Sequence, residues 1–111
     1  MPKQSVLMNQ VFQALADPTR RAVIERLGRG PAAMSELAQP FDMALPSFAQ
    51  HLNMLENCGL VRSRKTGRVR TYQLAPAPFR VAETWMARQH ALWNQRLDQL
   101  DEVLQQMKKE H

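Results

Sequence analysis

The chain has 111 residues, of which 44% are hydrophobic, enough for one small core that an oligomeric contact would help to complete. It holds no run of eighteen apolar residues and no charged-then-apolar leader, so nothing is expected to span a membrane or direct export. A single cysteine, Cys58, excludes an intramolecular disulfide and fits a reducing cytoplasm, and a formal charge of +5 points to an anionic partner.

In chain order, Val6, Leu7, Val11, Phe12 and Leu15 predict a first, largely apolar helix over 6–15. Asp17-Pro18 is a strong helix start, a carboxylate cap followed by proline where no N–H is needed. The second helix is predicted over Thr19–Leu27, burying Val23, Ile24 and Leu27 and stopping at Gly28. Arg20 and Arg21 in its first turn are suited either to phosphate contact or to pairing with nearby acids. Gly30-Pro31 reads as a loop, and Met34–Gln39 as a very short helix that Pro40 cannot continue.

The next helix runs from about 46 to 57. Leu45, Phe48, Leu52 and Leu55 recur at steps of three and four and predict a buried face, while Ser47, Gln50, His51 and Met54 fall opposite at the same spacing. Pro46 suits the first turn, and Gly59 supplies a left-handed stop. Two strand-like runs follow, Leu60–Arg64 and Arg68–Leu74, joined through a tip containing Gly67, which defines a hairpin over about 60–74. Residues 62–80 hold six Arg or Lys and no acid, whereas residues 1–61 hold five of each sign and residues 81–111 four bases against five acids. The excess charge is therefore localised on the hairpin and its exit, the pattern expected where phosphates are contacted. A short amphipathic helix followed by a basic hairpin is the layout of a winged helix-turn-helix.

From Pro78 to Glu110 the sequence predicts one helix. Met86, His90, Trp93, Leu97, Leu100, Leu104 and Met107 alternate steps of four and three, a heptad seam. Thirty residues of helix reach about 45 Å, beyond what so small a domain can cover. The seam is therefore expected to pair with the same helix of a second copy. His90 on that seam is expected to be an interface residue rather than a ligand, and the two tryptophans packing anchors. Cys58 is expected to be a small packed residue with no resolving partner. The histidines at 51, 90 and 111 are scattered, and no phosphate loop, paired-cysteine motif or nucleophile elbow is present, so no enzyme and no cofactor are expected.

These segments together resemble a known family. Leu15-Ala16-Asp17-Pro18-Thr19-Arg20-Arg21, Ser35-Glu36-Leu37-Ala38, His51-Leu52 with Leu55, and Gly59-Leu60-Val61 are similar, in order and spacing, to the ArsR-type repressors over about residues 6–75. Leu74-Ala-Pro-Ala-Pro-Phe79 and the run from Trp93 to Asp101 resemble a branch with a long C-terminal helix. The resemblance implies a homodimeric DNA-binding transcriptional regulator, usually a repressor, that in many members releases DNA when a metal or other inducer binds. It places recognition-helix contacts at Ser47, Gln50 and His51 and wing contacts at Lys65, Arg68 and Arg70. Its metal sites do not carry over. The Cys-x-Cys of many members would fall about Met34–Glu36, where there is no cysteine, and Glu83 with His90 gives too few ligands. The Thr or Ser that usually caps each helix of the motif is replaced by Ala33 and Ala44.

The fold class expected is therefore mainly α with a small β-hairpin: a single winged helix-turn-helix domain with a DNA-binding core over 6–77 and a dimerisation helix over 78–110. The expected partners are double-stranded DNA, in the form of an inverted-repeat operator, and a second copy of the chain. DNA contact is expected at Ser47, Gln50, His51, Arg62, Arg64, Lys65, Arg68 and Arg70. Dimer contact is expected at Phe12, Met86, Trp93, Leu97, Leu100 and Leu104, with Val6 and Leu7 joining by resemblance. The rival is a winged-helix module that binds protein or structured RNA, against which the clustered arginines argue.

Overall fold

The computed structural model describes residues 3–110, so His111 lies outside it. Helices α1 (Lys3–Leu15), α2 (Pro18–Leu27) and α3 (Met34–Ala38) precede α4 (Leu45–Asn57), and a 33-residue α5 (Ala77–Lys109) closes the chain. Between them lie three short strands, β1 (Ala32–Ala33), β2 (Val61–Thr66) and β3 (Val69–Leu74), in one antiparallel sheet of order β1-β3-β2. The mainly helical fold with a small hairpin is thus the one the sequence predicts. The pairing of Ala32 and Ala33 with Tyr72 and Thr71 is not, because two alanines carry no strand periodicity.

The helix boundaries follow local chemistry. The Arg20 backbone N–H donates to Asp17 Oδ2 at 3.0 Å, which is the cap expected of Asp17. At the end of α4 the Gly59 N–H donates to the Glu56 carbonyl and the Leu60 N–H to the Leu55 carbonyl, each at 3.0 Å. This paired bonding with Gly59 at φ +81° is a Schellman stop. The φ of +81° favours glycine at position 59, and a Cβ there would also lie 3.1 Å from Pro78 Cγ, close enough that the proline ring would have to give way slightly. Thr66 pairs with Val69, leaving Gly67 and Arg68 as a two-residue turn with positive φ at the glycine alone. That pattern matches a type II′ turn, whose twist suits a tight hairpin.

Phe48, Leu52 and Leu55 of α4 are fully buried. They meet Val11 and Ala14 of α1, Val23 and Leu27 of α2, Leu37 of α3 and, from the sheet, Val61 and Tyr72. Two expectations need correction. Leu45 is 60% exposed, because it opens α4 and a helical side chain leans toward the N-terminus, here past the edge of the core. Ile24 is only partly buried against the cluster that holds Val23 and Leu27. Cys58 is buried, with its thiol donating to the Leu55 carbonyl at 3.3 Å.

α3 and α4 both start without a side-chain cap, at Ala33 and Ala44. Ala33 keeps half of a capping box, since its N–H donates to Glu36 Oε1 at 3.3 Å, whereas Ala44 has no such contact. Both residues already hold the extended backbone of a cap. Ala44→Ser and Ala33→Thr are each expected to stabilise the fold by about 0.5–2 kcal/mol. Denaturant midpoints unchanged or lowered in both variants would contradict the assignment of open helix starts.

Candidate nucleic-acid interface

α4 turns its apolar stripe inward and thereby fixes what it shows to solvent. Ser47 and Gln50 are exposed, as expected of base-reading side chains. His51 and Met54 are only half-exposed, because they border the buried stripe. The most open line along the helix is Pro46, Gln50, Asn53 and Asn57, at steps of four, three and four. Asn53 and Asn57 were not among the expected contacts. The same spacing argument that selected Gln50 would have found them had the exposed face been centred away from His51.

His51 is instead tied to the helix junction. Arg20 Nη1 lies 3.0 Å from His51 Nδ1, and Asp17 Oδ2 lies 3.7 Å from the same nitrogen. An arginine has no acceptor, so in the shorter contact Nδ1 accepts and Nε2 carries the ring proton. His51 then presents only a donor beyond the junction.

The rest of the Arg20 guanidinium faces the C-terminal end of α1. Nε donates to the Ala14 carbonyl at 2.7 Å and Nη2 to the Gln13 carbonyl at 3.1 Å, while Arg21 Nη1 donates to the Leu15 carbonyl at 2.7 Å. The two arginines therefore cap the free carbonyls of the preceding helix. Within the chain their side-chain hydrogen bonds go to these carbonyls and to His51 rather than to a carboxylate. The Arg20 backbone N–H, aided by the positive charge of His51 when protonated and of Arg20, holds the Asp17 carboxyl below its ordinary range against the opposing effect of burial. A depressed folded-state value means that this group stabilises the fold above the unfolded carboxylate pKa and loses that contribution as the pH falls through the folded one.

The hairpin divides its charges by strand alternation. Arg62 and Arg64 project from one face, where they line a groove with Pro31, Thr71 and Gln73. Lys65 and Arg70 are cross-strand partners on the other face, and Arg68 stands at the turn. All five are exposed. Like charges directly opposite oppose each other unless an anion lies nearby. Arg70 gains a partial partner: its Nη1 donates to Ser63 Oγ at 2.7 Å, and that hydroxyl donates to Glu56 Oε2 at 2.6 Å. Glu56 belongs to α4, so this relay links the wing to the exposed helix. Beneath it, burial and the Glu56 charge raise the Tyr72 hydroxyl above its usual value, with Arg70 pulling the other way.

Of the expected dimer residues, Met86, Trp93, Leu97, Leu100 and Leu104 are 45–61% exposed along α5. Phe12 is partly buried within its own chain and meets Trp85 edge-on, with ring centroids 5.9 Å apart. Trp85 is thus a packing anchor, but Trp93, 61% exposed, is not one within this chain. Among the described residues no group of three His, Cys, Asp or Glu could hold a metal, and no helix is long and apolar enough to cross a membrane.

Arg20→Ala is expected to lower stability by about 1–3 kcal/mol, since it orphans two carbonyls and the His51 acceptor together. Arg20→Lys should recover little of this, because one ammonium cannot reproduce the forked geometry. Full recovery of the denaturant midpoint by lysine would show that charge, and not the fork, matters at this junction.

Residues 15–64 match a family described as a helix-turn-helix domain. The chain is 43% identical over 76 residues to the HTH-type transcriptional regulator Rv2034 of Mycobacterium tuberculosis, covering 68% of this chain and 71% of that protein. It is 32% identical over 79 residues to the transcriptional repressor SdpR of Bacillus subtilis, covering 71% and 88%. Among solved structures, an ArsR family transcriptional regulator superposes with a TM-score of 0.79 at 55% identity, covering 85% of this chain and 97% of that one. A homodimeric winged helix-turn-helix domain from Mycobacterium bovis superposes with a TM-score of 0.60 at 25% identity, covering 83% and 90%. With its helix-turn-helix, its basic wing and these relatives, the chain belongs to the ArsR family of winged helix-turn-helix transcriptional regulators.

Proposed function

We propose that two copies of this chain form a cytoplasmic repressor that reads an inverted-repeat operator. In each copy α4 enters the major groove and the wing lies over the adjacent backbone or minor groove. The observation that carries this reading is the junction of an exposed amide-rich helix face with a hairpin bearing five exposed bases and no acid. The bases supply affinity, and the helix supplies sequence choice. α4 has neither Arg nor Lys, so the commonest guanine contact is not available from it. Gln50 and Asn53 are adenine readers by chemistry, Ser47 reads either way, and His51 offers only its Nε2 proton. Arg62, Arg64, Lys65, Arg68 and Arg70 face phosphates, with Arg70 also holding the wing to α4. The core over 6–77 serves DNA and the helix over 78–110 serves assembly.

The second copy would cover the seam of α5. Beyond the stretch that lies against α1, the residues from Leu92 to Met107 leave Leu92, Trp93, Leu97, Leu100, Val103, Leu104 and Met107 about half exposed. The homodimeric likeness of the Mycobacterium bovis domain supports the same arrangement. Replacing Leu97 and Leu100 together by glutamate is expected to give a monomer that no longer binds the operator tightly, because one half-site offers too few contacts. Light scattering that still reported a dimer would place the subunit contact elsewhere.

Affinity and sequence choice should separate experimentally. Arg68→Ala is expected to weaken binding to all duplexes nearly alike. It should also flatten the salt dependence by about one unit of slope for each phosphate that each subunit ceases to neutralise. Gln50→Ala is expected to weaken binding by about 1–3 kcal/mol on the preferred site, far less on scrambled DNA, with the salt slope almost intact. Anisotropy titrations over a range of salt, with an RNA hairpin as a third target, measure both. Equal weakening on both duplexes by Gln50→Ala would move the reading face to another residue, and preference for the hairpin would favour an RNA-binding module.

A further inference from the structure

A cleft of about 360 Å³ opens between α1 and α5, on residues that none of the contacts proposed above uses. Met8 and Val81, both half-buried, and the ring of Trp85 give it an apolar floor. Arg80, Thr84 and Arg88 line its α5 side. They stand four residues apart, so they share one face, and each arginine lies one turn from the threonine hydroxyl between them. Among the described residues no carboxylate lies within 4 Å of either guanidinium. Two unpaired guanidiniums thus flank an aromatic floor.

We propose that this cleft binds a small amphipathic carboxylate, with its anionic end between Arg80 and Arg88 and its apolar body over Trp85 and Met8. Guanidinium forks suit a planar carboxylate, and the long arginine side chains can converge on one anion from two turns. The apolar floor distinguishes such a ligand from a bare anion, and the volume sits at the small end of ligand pockets, about 300–1,000 Å³. Thr84 is two positions from Met86, about 160° round the helix, so the Arg80-Thr84-Arg88 line and the seam lie on opposite flanks of α5.

The site is independent of the DNA reading, and its test uses none. Decanoate and 1-naphthoate, titrated by calorimetry into the full chain, are the probes. Each is expected to bind once per chain and to raise the melting temperature. Naphthalene methanol and inorganic phosphate are expected to bind at least tenfold more weakly, since each lacks one half of the recognition. Arg80→Gln with Arg88→Gln should weaken naphthoate about ten- to a hundredfold, because two charge-assisted donors are removed, without changing the unliganded melting temperature of these exposed positions. The lysine pair at the same positions should retain part of the affinity. Failure of both carboxylates to bind at millimolar concentration would overturn the proposal. So would binding that survives the glutamine pair, or phosphate binding as tight as that of naphthoate.

Discussion

The guanidinium of Arg20 sits where three helices meet, and the orientation of the exposed helix depends on it. It closes the carbonyl end of α1 through Ala14 and Gln13, while its own backbone N–H is held by the cap of α2. The remaining nitrogen reaches His51 in the middle of α4. Hydrophobic packing of Phe48, Leu52 and Leu55 keeps α4 against the core, but apolar contact is non-directional and tolerates small rotations. The forked hydrogen bonds of Arg20 do not. Burial supplies the attachment, and one arginine supplies the angle.

The wing is held by a similar division of labour. Val61 and Tyr72 anchor its base in the core, and its outer half carries bases that repel one another. Among the described residues, the side-chain hydrogen bonds that return from that outer half to α4 are those of the relay from Arg70 through Ser63 to Glu56. Lys65 and Arg70 face each other across the strands with a single carboxylate near one of them. The free protein therefore carries an electrostatic strain that a nearby polyanion relieves.

Much of this was legible in the residues because the controlling signals are local. Asp17-Pro18, Gly59 and Gly67 punctuate the chain by backbone chemistry that tertiary context seldom overrides, and the helix and hairpin limits they imply fall within a few residues of those observed. What escaped was what depends on three-dimensional neighbours. β1 exists only because β3 passes beside two alanines. The spacing of His51 gives no sign of Arg20, 31 positions earlier, whose approach turns Nδ1 inward. The exposure of Asn53 beside Gln50 escaped for the complementary reason: a helix face a third of a turn wide can be drawn in two ways until the core shows which way it points.

Gly59, at the stop of α4, stands against the ring of Pro78 in the first turn of α5, where a Cβ would lie 3.1 Å from Cγ. Seen mechanically, it is a fulcrum. The middle of the seam, near Leu97, lies about 30 Å along α5 from it, counting some twenty residues at about 1.5 Å each. A tilt of roughly 5° at the fulcrum displaces the middle of the seam by about 2–3 Å relative to α4. In a pair held along α5, the angle between α4 and α5 fixes how far apart the two copies of α4 stand, and a glycine that merely ends a helix takes part in setting it.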